Sequence, residues 1–361
     1  MIYLDANATE PLRPEARTAV AAVLEVVGNP SSVHAAGRAA RRILEDAREA
    51  LAARFGGQPR DLIFTSGGTE ADAMAIHGLG QGRRLIIGAT EHDALRTAAP
   101  SAEVLPVDRE GVADLDALAR LLRGGPALVC LMLANNETGT LQPVAQSAAL
   151  CRPAGALLHV DAVQAAGRMP VDFAALGADS MAISSHKLGG PAGAGALLLS
   201  AEAARQMQPL IPGGGQERGR RGGTPPVAVI AGFAAAADAA TGPGQLGNLR
   251  DLAERSAVAA GAVVVGADAA RLPNTTCIAL PGARAETQVI ALDLAGVCVS
   301  AGAACSSGKV SRSHVLEAMG LGALAGEAIR ISLPWNATEA DVQAFAGAYQ
   351  AMAARLTRRA A

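Results

Sequence analysis

Short apolar runs separated by helical patterns recur through the first two thirds of this 361-residue chain. Strands that alternate with helices predict a mainly parallel sheet covered by helices on both faces, the α/β class. The runs that we interpret as strands are 62–64, 84–90, 102–107, 127–133, 156–162, 180–184 and 195–200. In such sheets the ligand binds beyond the carboxyl ends of the strands. The polar residues that follow these runs are therefore the first candidates for a site.

Helical periodicity is clearest between residues 35 and 55. Apolar residues spaced three and four apart predict one buried face, made of Ala36, Ala40, Ile43, Ala47 and Leu51. A shorter helix is predicted at 114–123.

The pattern changes near residue 240. The Gly/Pro-rich stretch 241–247 predicts a break, and it is followed by a long helix, strands near 275–280 and 296–300, and a last helix at 338–356. We therefore predict a large domain of residues 13–240 and a smaller α+β domain made of residues 1–12 and 241–361.

The net charge and the distribution of cysteines argue against several classes of protein. The net charge is −2, which argues against binding to nucleic acid or an anionic membrane through bulk charge. No apolar stretch is long enough to predict a membrane span, and the first residues have no basic region followed by an apolar run, so no secretory leader is expected. The cysteines are odd in number and scattered, which favours free thiols in a reducing cytoplasm; they are Cys130, Cys151, Cys277, Cys298 and Cys305.

Lys187 and Asp161 each stand at the end of a predicted strand. A lysine there can form a Schiff base with a carbonyl cofactor. Together the two residues form the pair that a pyridoxal phosphate site needs, because the carboxylate keeps the pyridine nitrogen protonated and the lysine holds the aldehyde carbon. A surface loop lysine and a capping aspartate are the alternatives.

Two glycine-rich stretches are candidates for phosphate contacts. In 64–78 a strand runs into Gly67–Gly68–Thr69 and a helix, where free N–H groups can bind an anion; an ordinary helix cap is the alternative. The stretch 213–224, "GGGQERGRRGGT", is either a flexible basic loop or a loop that becomes ordered around a phosphate or a partner subunit.

Two further side chains suit a site of this kind. His92 follows a predicted strand and could stack on a flat ring or move protons, although a satisfied loop histidine is the alternative. Arg330 begins an apolar stretch, and its guanidinium suits a substrate carboxylate, although an ion pair with a nearby acid is the alternative.

Twelve segments, taken in order, resemble the cysteine desulfurases of the NifS/IscS-like group, which are class V, fold-type I pyridoxal-phosphate enzymes. The resemblance spans residues 3 to about 345. The segments are YLDANAT, GNPSSVHAAGRAAR, FTSGGTEAD, TEHDAL, ANNETGTLQP, HVDAVQAAGRMPVD, SSHKLGGP, GGGQERGRRGGT, LPNT, AACSSG, SHVLEAMGL and IRISL.

This resemblance implies a sulfurtransferase that converts L-cysteine to L-alanine and leaves the sulfur on Cys305 as a persulfide. Lys187 would bind the cofactor aldehyde, Asp161 the pyridine nitrogen and Gln164 the ring oxygen, while His92 would stack on the ring and move protons. The phosphate would be held by Gly68, Thr69, Ser184 and His186. Asn136 would contact both cofactor and substrate, Arg330 the substrate carboxylate, and Asn7 would line the substrate site.

The resemblance also implies partners. The enzyme would be a homodimer in which Thr224 reaches the phosphate of the neighbouring subunit, and the persulfide would pass to an acceptor such as an iron–sulfur scaffold. Nitrogenase-associated and tRNA-thiolation acceptors, and activity on selenocysteine, stay open. The sequence departs from the family pattern at Pro334–Trp335, which puts the aim of Arg330 in doubt.

Two other interpretations stay open at this point, and a third is disfavoured. Another class V enzyme, an aminotransferase or a selenocysteine lyase, would share Lys187, Asp161 and His92, and an aminotransferase would not need Cys305. A non-catalytic scaffold could keep the fold without the chemistry. A metal site at Cys298 and Cys305 is not expected, because no second pair of ligands accompanies them.

Overall fold

The computed structural model describes residues 1–240, 242, 244–302 and 312–360, without the side chains of 357–360. The strands of these residues are β1 (Ile2–Tyr3), β2 (Leu62–Thr65), β3 (Arg84–Gly88), β4 (Glu103–Leu105), β5 (Ala127–Met132), β6 (Leu157–Asp161), β7 (Ser180–Ser184), β8 (Gly195–Leu199), β9 (Val263–Val265), β10 (Thr275–Ala279), β11 (Val297–Cys298), β12 (Ser300–Ala301) and β13 (Ala328–Ser332).

The helices are α1 (Pro14–Leu24), α2 (Ala35–Arg54), α3 (Gly68–Leu79), α4 (Asp93–Ala98), α5 (Leu115–Leu121), α6 (Val144–Cys151), α7 (Phe173–Leu176), α8 (Ala201–Gln206), α9 (Val227–Ala239), α10 (Leu246–Ala259), α11 (Ala285–Leu294), α12 (His314–Ala318) and α13 (Glu339–Ala360). None of the helices in the described part of the chain combines the length and apolar character that a membrane crossing requires.

The large sheet has the strand order β2-β8-β7-β6-β5-β3-β4. The pairs β3–β4, β3–β5, β5–β6 and β6–β7 are parallel, and β8 runs antiparallel to both of its neighbours. Continuous apolar strands such as β5 are buried along their whole length, as expected for a sheet covered on both faces. The mainly parallel α/β fold is therefore confirmed, and each of the seven predicted strands overlaps an observed one.

A second sheet lies later in the chain, with the antiparallel order β12-β13-β10-β9. The N-terminal residues join this region, because β1 pairs with β11 and Leu4 belongs to the same apolar cluster as Ile331 and Phe345. The division of the chain at residue 240 stays a prediction, and the two sheets lie on opposite sides of that point in the sequence.

Helix α2 shows where simple periodicity fails. Its buried residues include Ala40, Ala47 and Leu51, as predicted, but Ala36 is exposed. Arg48 is buried in the same helix. A buried arginine needs a charged partner. The partner of Arg48 is Glu217, which lies in the distant glycine-rich stretch 213–224.

Candidate active site

A cavity of about 230 Å³ opens at the carboxyl edge of the large sheet. Parallel strands bring their carboxyl ends to one edge, and Met132, Asp161 and Ser184 are the last residues of β5, β6 and β7. The cavity is lined by nine residues that the sequence singled out, Gly68, Thr69, His92, Asn136, Asp161, Gln164, Ser184, His186 and Lys187, together with Asp72, Met132 and Val163.

Asp161 is buried at this edge and accepts a hydrogen bond from the Val163 amide at 2.8 Å. Burial raises the pKa of its carboxyl, and the neighbouring Asp72 raises that pKa further. A cationic ring nitrogen would relieve this penalty, because an opposite charge favours the ionised carboxylate. The electrostatics of the site therefore favour a positively charged partner for Asp161.

A buried polar chain lies behind Asp161. His159 Nε2 contacts Asp72 Oδ1 at 3.0 Å, and His159 Nδ1 contacts Ser180 Oγ at 2.9 Å. Burial lowers the pKa of His159 to about 4, so the imidazole is neutral at pH 7. We did not predict Asp72, His159 or Ser180 from the sequence, although the alternation of His159 and Asp161 in an apolar strand was an available signal.

Lys187 lies in a short 3-10 turn directly after β7. Its Nζ donates hydrogen bonds to the main-chain carbonyls of Asn7 and Ala8, the latter at 3.0 Å. Gln164 Nε2 also donates to the Asn7 carbonyl, at 3.1 Å. The N-terminal segment thus contacts the residues at which the sequence predicted the cofactor.

Asn7 itself is engaged in a buried network. Its Nδ2 donates to the carbonyl of Asn136 and to Thr275 Oγ1, both at 3.0 Å. The side chain therefore links the N-terminal segment to β10 and to the loop after β5. Its predicted contact with substrate stays a prediction.

His92 immediately precedes α4, and its Nδ1 accepts the amide hydrogen of Ala94 at 3.1 Å. The acceptor role of Nδ1 leaves Nε2 as the ring nitrogen that carries the proton in the neutral form. The imidazole is thereby held in one orientation at the cavity.

The start of α3 has the features of an anion site. Ser184 Oγ is buried and has no hydrogen-bond partner among the described residues. A Cβ on Gly68 would lie 2.6 Å from Val163 Cγ2, so a side chain there would displace the packing behind the turn. Free amides at a helix start bind anions, and a buried hydroxyl without a partner is the kind of group that a phosphate oxygen would satisfy. His186, which lines the same cavity, contacts Thr9 Oγ1 through Nδ1 at 3.2 Å.

Arg330 lies next to the cavity and is buried. It forms an ion pair with Asp5 at 2.5 Å and donates to the carbonyl of Asn136 at 3.0 Å. Trp335 is held elsewhere: its indole N–H donates to the carbonyl of Pro11 at 2.9 Å, and Arg13 stacks over its ring. The departure from the family pattern at Pro334–Trp335 therefore leaves Arg330 beside Asn136.

The stretch 213–224 is attached to its own chain. Glu217 forms a buried bidentate pair with Arg48, at 2.7 and 2.9 Å, and accepts the Phe64 amide at 3.0 Å. Arg221 pairs with Glu70 in the first turn of α3 at 2.8 Å. Thr224 is exposed and does not line the cavity of this protomer.

Cys305 lies outside the described residues. Gly302 and Ser313 lie on either side of the undescribed stretch that contains Cys305. Both are close to Glu137, a buried residue of the loop after β5. Ser313 Oγ donates to Glu137 Oε2 at 2.6 Å, and a Cβ on Gly302 would lie 2.1 Å from the same oxygen. Glu137 adjoins Asn136 of the cavity, and we did not predict its role from the sequence.

Comparison with known proteins places the chain in a family. The model of the class-V aminotransferase family matches residues 2–345. A cysteine desulfurase from Cereibacter sphaeroides is 43% identical over 94% of this chain and 92% of its own length. An IscS-like cysteine desulfurase from Mycobacterium tuberculosis is 38% identical over all of this chain and 98% of its own.

A solved structure extends the likeness to three dimensions. The NifS-like protein from Rickettsia africae has a TM-score of 0.90 and 36% identity, covering 98% of this chain and 99% of that one. The likeness therefore covers nearly the whole length of both chains, in sequence and in fold. The chain belongs to the class-V aminotransferase family, within its NifS/IscS-like cysteine desulfurases.

Proposed function

We propose that this protein is a pyridoxal-phosphate-dependent cysteine desulfurase that converts L-cysteine to L-alanine and retains the sulfur on Cys305. The observation that carries the proposal is that Lys187 and Asp161 line one cavity together with His92. The residues fit the cofactor: an amine for its aldehyde, a buried carboxylate for its ring nitrogen, and the unpartnered Ser184 hydroxyl with the α3 amides for its phosphate. Thr69, Gln164, Asn136 and His186 complete the proposed set.

The bound cofactor supplies an electron sink for the carbon skeleton of the substrate. Lys187 Nζ would hold the aldehyde carbon of the cofactor and would then accept the proton that leaves the substrate Cα. Arg330 binds the substrate carboxylate, and the neighbouring Asn136 positions the substrate. His92 moves a proton at the substrate sulfur through Nε2, since Nδ1 is occupied by the Ala94 amide.

The sulfur transfer balances without an external oxidant. The thiolate of Cys305 attacks the substrate sulfur, so that an S–S bond forms and the substrate C–S bond breaks. The carbon that loses sulfur gains a proton and leaves as the methyl group of alanine. Carbon is reduced and sulfur is oxidised within one reaction, and the product on the protein is a persulfide. The thiolate is the attacking species because a thiol is a poor nucleophile.

We also propose a homodimer in which Thr224 reaches the phosphate site of the partner subunit. Exposed apolar side chains at the end of α1 and in the stretch that follows it support the dimer: Leu24, Val27 and Val33 are 70%, 85% and 84% exposed. A cavity next to them is lined by Pro30, Ser31 and residues of the 213–224 stretch. A surface of this kind favours a protein partner.

The final acceptor is proposed to be a second protein, such as an iron–sulfur scaffold, in the cytoplasm. The four described cysteines are free, which supports a reducing compartment. An acceptor in nitrogenase assembly or in tRNA thiolation would draw on the same persulfide.

An assay of purified holoprotein with L-cysteine tests the proposal against an aminotransferase. A desulfurase releases alanine and, with a thiol reductant, sulfide in equal amounts; an aminotransferase releases neither. Lys187→Ala should abolish the visible absorbance of the cofactor linkage. A colourless wild-type protein after incubation with pyridoxal phosphate would contradict the proposal.

A further inference from the structure

Glu70 presents an electrostatic problem at the phosphate site that we propose. It lies in the first turn of α3, directly after Gly67–Gly68–Thr69. Its carboxylate accepts the Ser66 amide at 2.6 Å, which fixes it beside the turn. The partial positive charge of a helix start favours an anion, but a fixed carboxylate in the same turn opposes one.

Arg221 compensates the negative charge of Glu70. Its Nε and Nη2 donate to the two oxygens of Glu70 at 2.8 and 3.2 Å. The two side chains are 19% and 11% exposed, so the pair is shielded from much of the solvent that weakens ion pairs at the surface. The hydrogen bonds from Arg221 and Ser66 outweigh burial and hold the pKa of Glu70 below its usual value. Glu70 is therefore charged, and its charge is matched locally.

The loop that carries Arg221 is fixed by contacts within the same protomer. Glu217 and Arg218 have φ of 48° and 58°, a left-handed conformation that costs energy in residues other than glycine. Such a conformation persists only where other contacts impose it. Here the buried pair of Glu217 with Arg48 and the bond to the Phe64 amide do so. The position of Arg221 is thus supported by contacts within its own protomer.

We propose that Arg221 is a positioning residue that neutralises Glu70 and thereby sets the affinity of the α3 start for the phosphate group of the cofactor. The inference rests on the proposed function for the identity of that ligand. It gives the arginine-containing stretch 213–224 a role within its own protomer, in addition to the proposed reach of Thr224 into the partner.

The test measures binding of ligand to the apoprotein by a change in fluorescence or absorbance, with no turnover. Arg221→Ala should weaken pyridoxal phosphate by roughly tenfold, the size of effect of a partly buried charge at a helix end. Pyridoxal without phosphate should bind wild type and variant equally. The double variant Glu70→Gln/Arg221→Ala should regain most of the lost affinity, because the uncompensated charge is gone.

Arg205→Ala is the matched control, since Arg205 forms an exposed ion pair with Glu202 far from the turn in sequence. It should leave both affinities unchanged. Equal weakening for pyridoxal and its phosphate, or no recovery in the double variant, would overturn the role of Arg221. Failure of the wild-type apoprotein to bind pyridoxal phosphate at all would instead overturn the proposed function.

Discussion

Arg330 Nη2 donates a hydrogen bond to Asp5 Oδ1 at 2.5 Å, so the guanidinium proposed to bind the substrate carboxylate already holds an internal carboxylate. Arg330 Nη1 donates a hydrogen bond to the carbonyl of Asn136 at 3.0 Å, and Nε is buried without a partner among the described residues. A substrate carboxylate that binds Arg330 therefore either displaces the carboxylate of Asp5 or shares the guanidinium with it.

Opposite effects are expected from substitutions at the two members of this pair. Arg330→Ala should raise KM for L-cysteine by about 10- to 100-fold, since a hydrogen bond to a charged group contributes about 1.5–3 kcal/mol. Asp5→Asn keeps an acceptor oxygen but removes the negative charge, so KM should fall. Steady-state kinetics on both variants measures this. A rise in KM for Asp5→Asn as large as that for Arg330→Ala would mean that Asp5 serves to hold Arg330 in place.

Glu137 should matter for sulfur transfer and not for cofactor binding. It contacts Ser313 and adjoins Gly302, which flank the stretch that carries Cys305. Glu137→Ala should lower kcat by about tenfold or more, a barrier change of about 1.4 kcal/mol, with little change in KM or in the cofactor absorbance. Ser313→Ala should have a smaller effect in the same direction. Loss of the cofactor absorbance in Glu137→Ala would point to a wider structural role.

The Arg48–Glu217 pair should contribute strongly to stability. The two side chains are 7% and 4% exposed, and Arg48 also donates to the carbonyl of Leu62 at 2.9 Å. Arg48→Ala should lower the free energy of unfolding by about 3–5 kcal/mol, because it leaves a buried charge unpaired. Arg42→Ala removes an exposed ion pair with Asp46 in the same helix. This variant should change the free energy of unfolding by less than about 1 kcal/mol. Chemical denaturation measures the free energy of unfolding of both variants, and equal decreases in the two would contradict this ranking.

Glu91 should give the apoprotein a measurable pH dependence. Burial raises the pKa of its carboxyl well above its usual value, and the charges of Asp161 and Asp72 raise it further, against the Met132 amide, which lowers it. The folded state therefore keeps this proton while the unfolded state loses it, so stability falls as pH rises above about 4.5. Glu91→Gln removes that titration. The free energy of unfolding of wild type minus that of the variant should decrease from pH 5 to pH 8; a constant difference would contradict the assignment.

Strand ends were predictable from the sequence because burial on both faces makes parallel strands uniformly apolar. That pattern located Asp161 and Lys187 at strand ends, whereas Ser184 was assigned to the phosphate only through the resemblance to a family. Candidate roles for Lys187, Asp161 and Arg330 followed from their residue types and positions, and the resemblance to a family chose between these roles and their structural alternatives. No local pattern alone distinguishes a cofactor lysine from a loop lysine.

Long-range charge pairing was not predictable. Arg48 lies on the buried face of α2 with its partner Glu217 169 residues away, and helical periodicity treats every arginine as a surface residue. The same holds for Glu137, since nothing local connects "ANNETGT" with Gly302 or Ser313. Asp72 and His159 escaped prediction because each stands in an otherwise apolar or helical stretch, where a lone polar residue has many structural explanations.

Transfer of sulfur from L-cysteine to Cys305 is the step that defines the proposed activity. The most direct measurement gives the holoprotein L-cysteine that carries a heavy sulfur isotope, blocks thiols, and locates the labelled sulfur by peptide mass spectrometry while alanine is counted. We expect one labelled sulfur atom on the peptide containing Cys305, formed together with alanine, and neither product in Cys305→Ser beyond a residual rate. Label on another cysteine, or alanine release at the wild-type rate by Cys305→Ser, would contradict it.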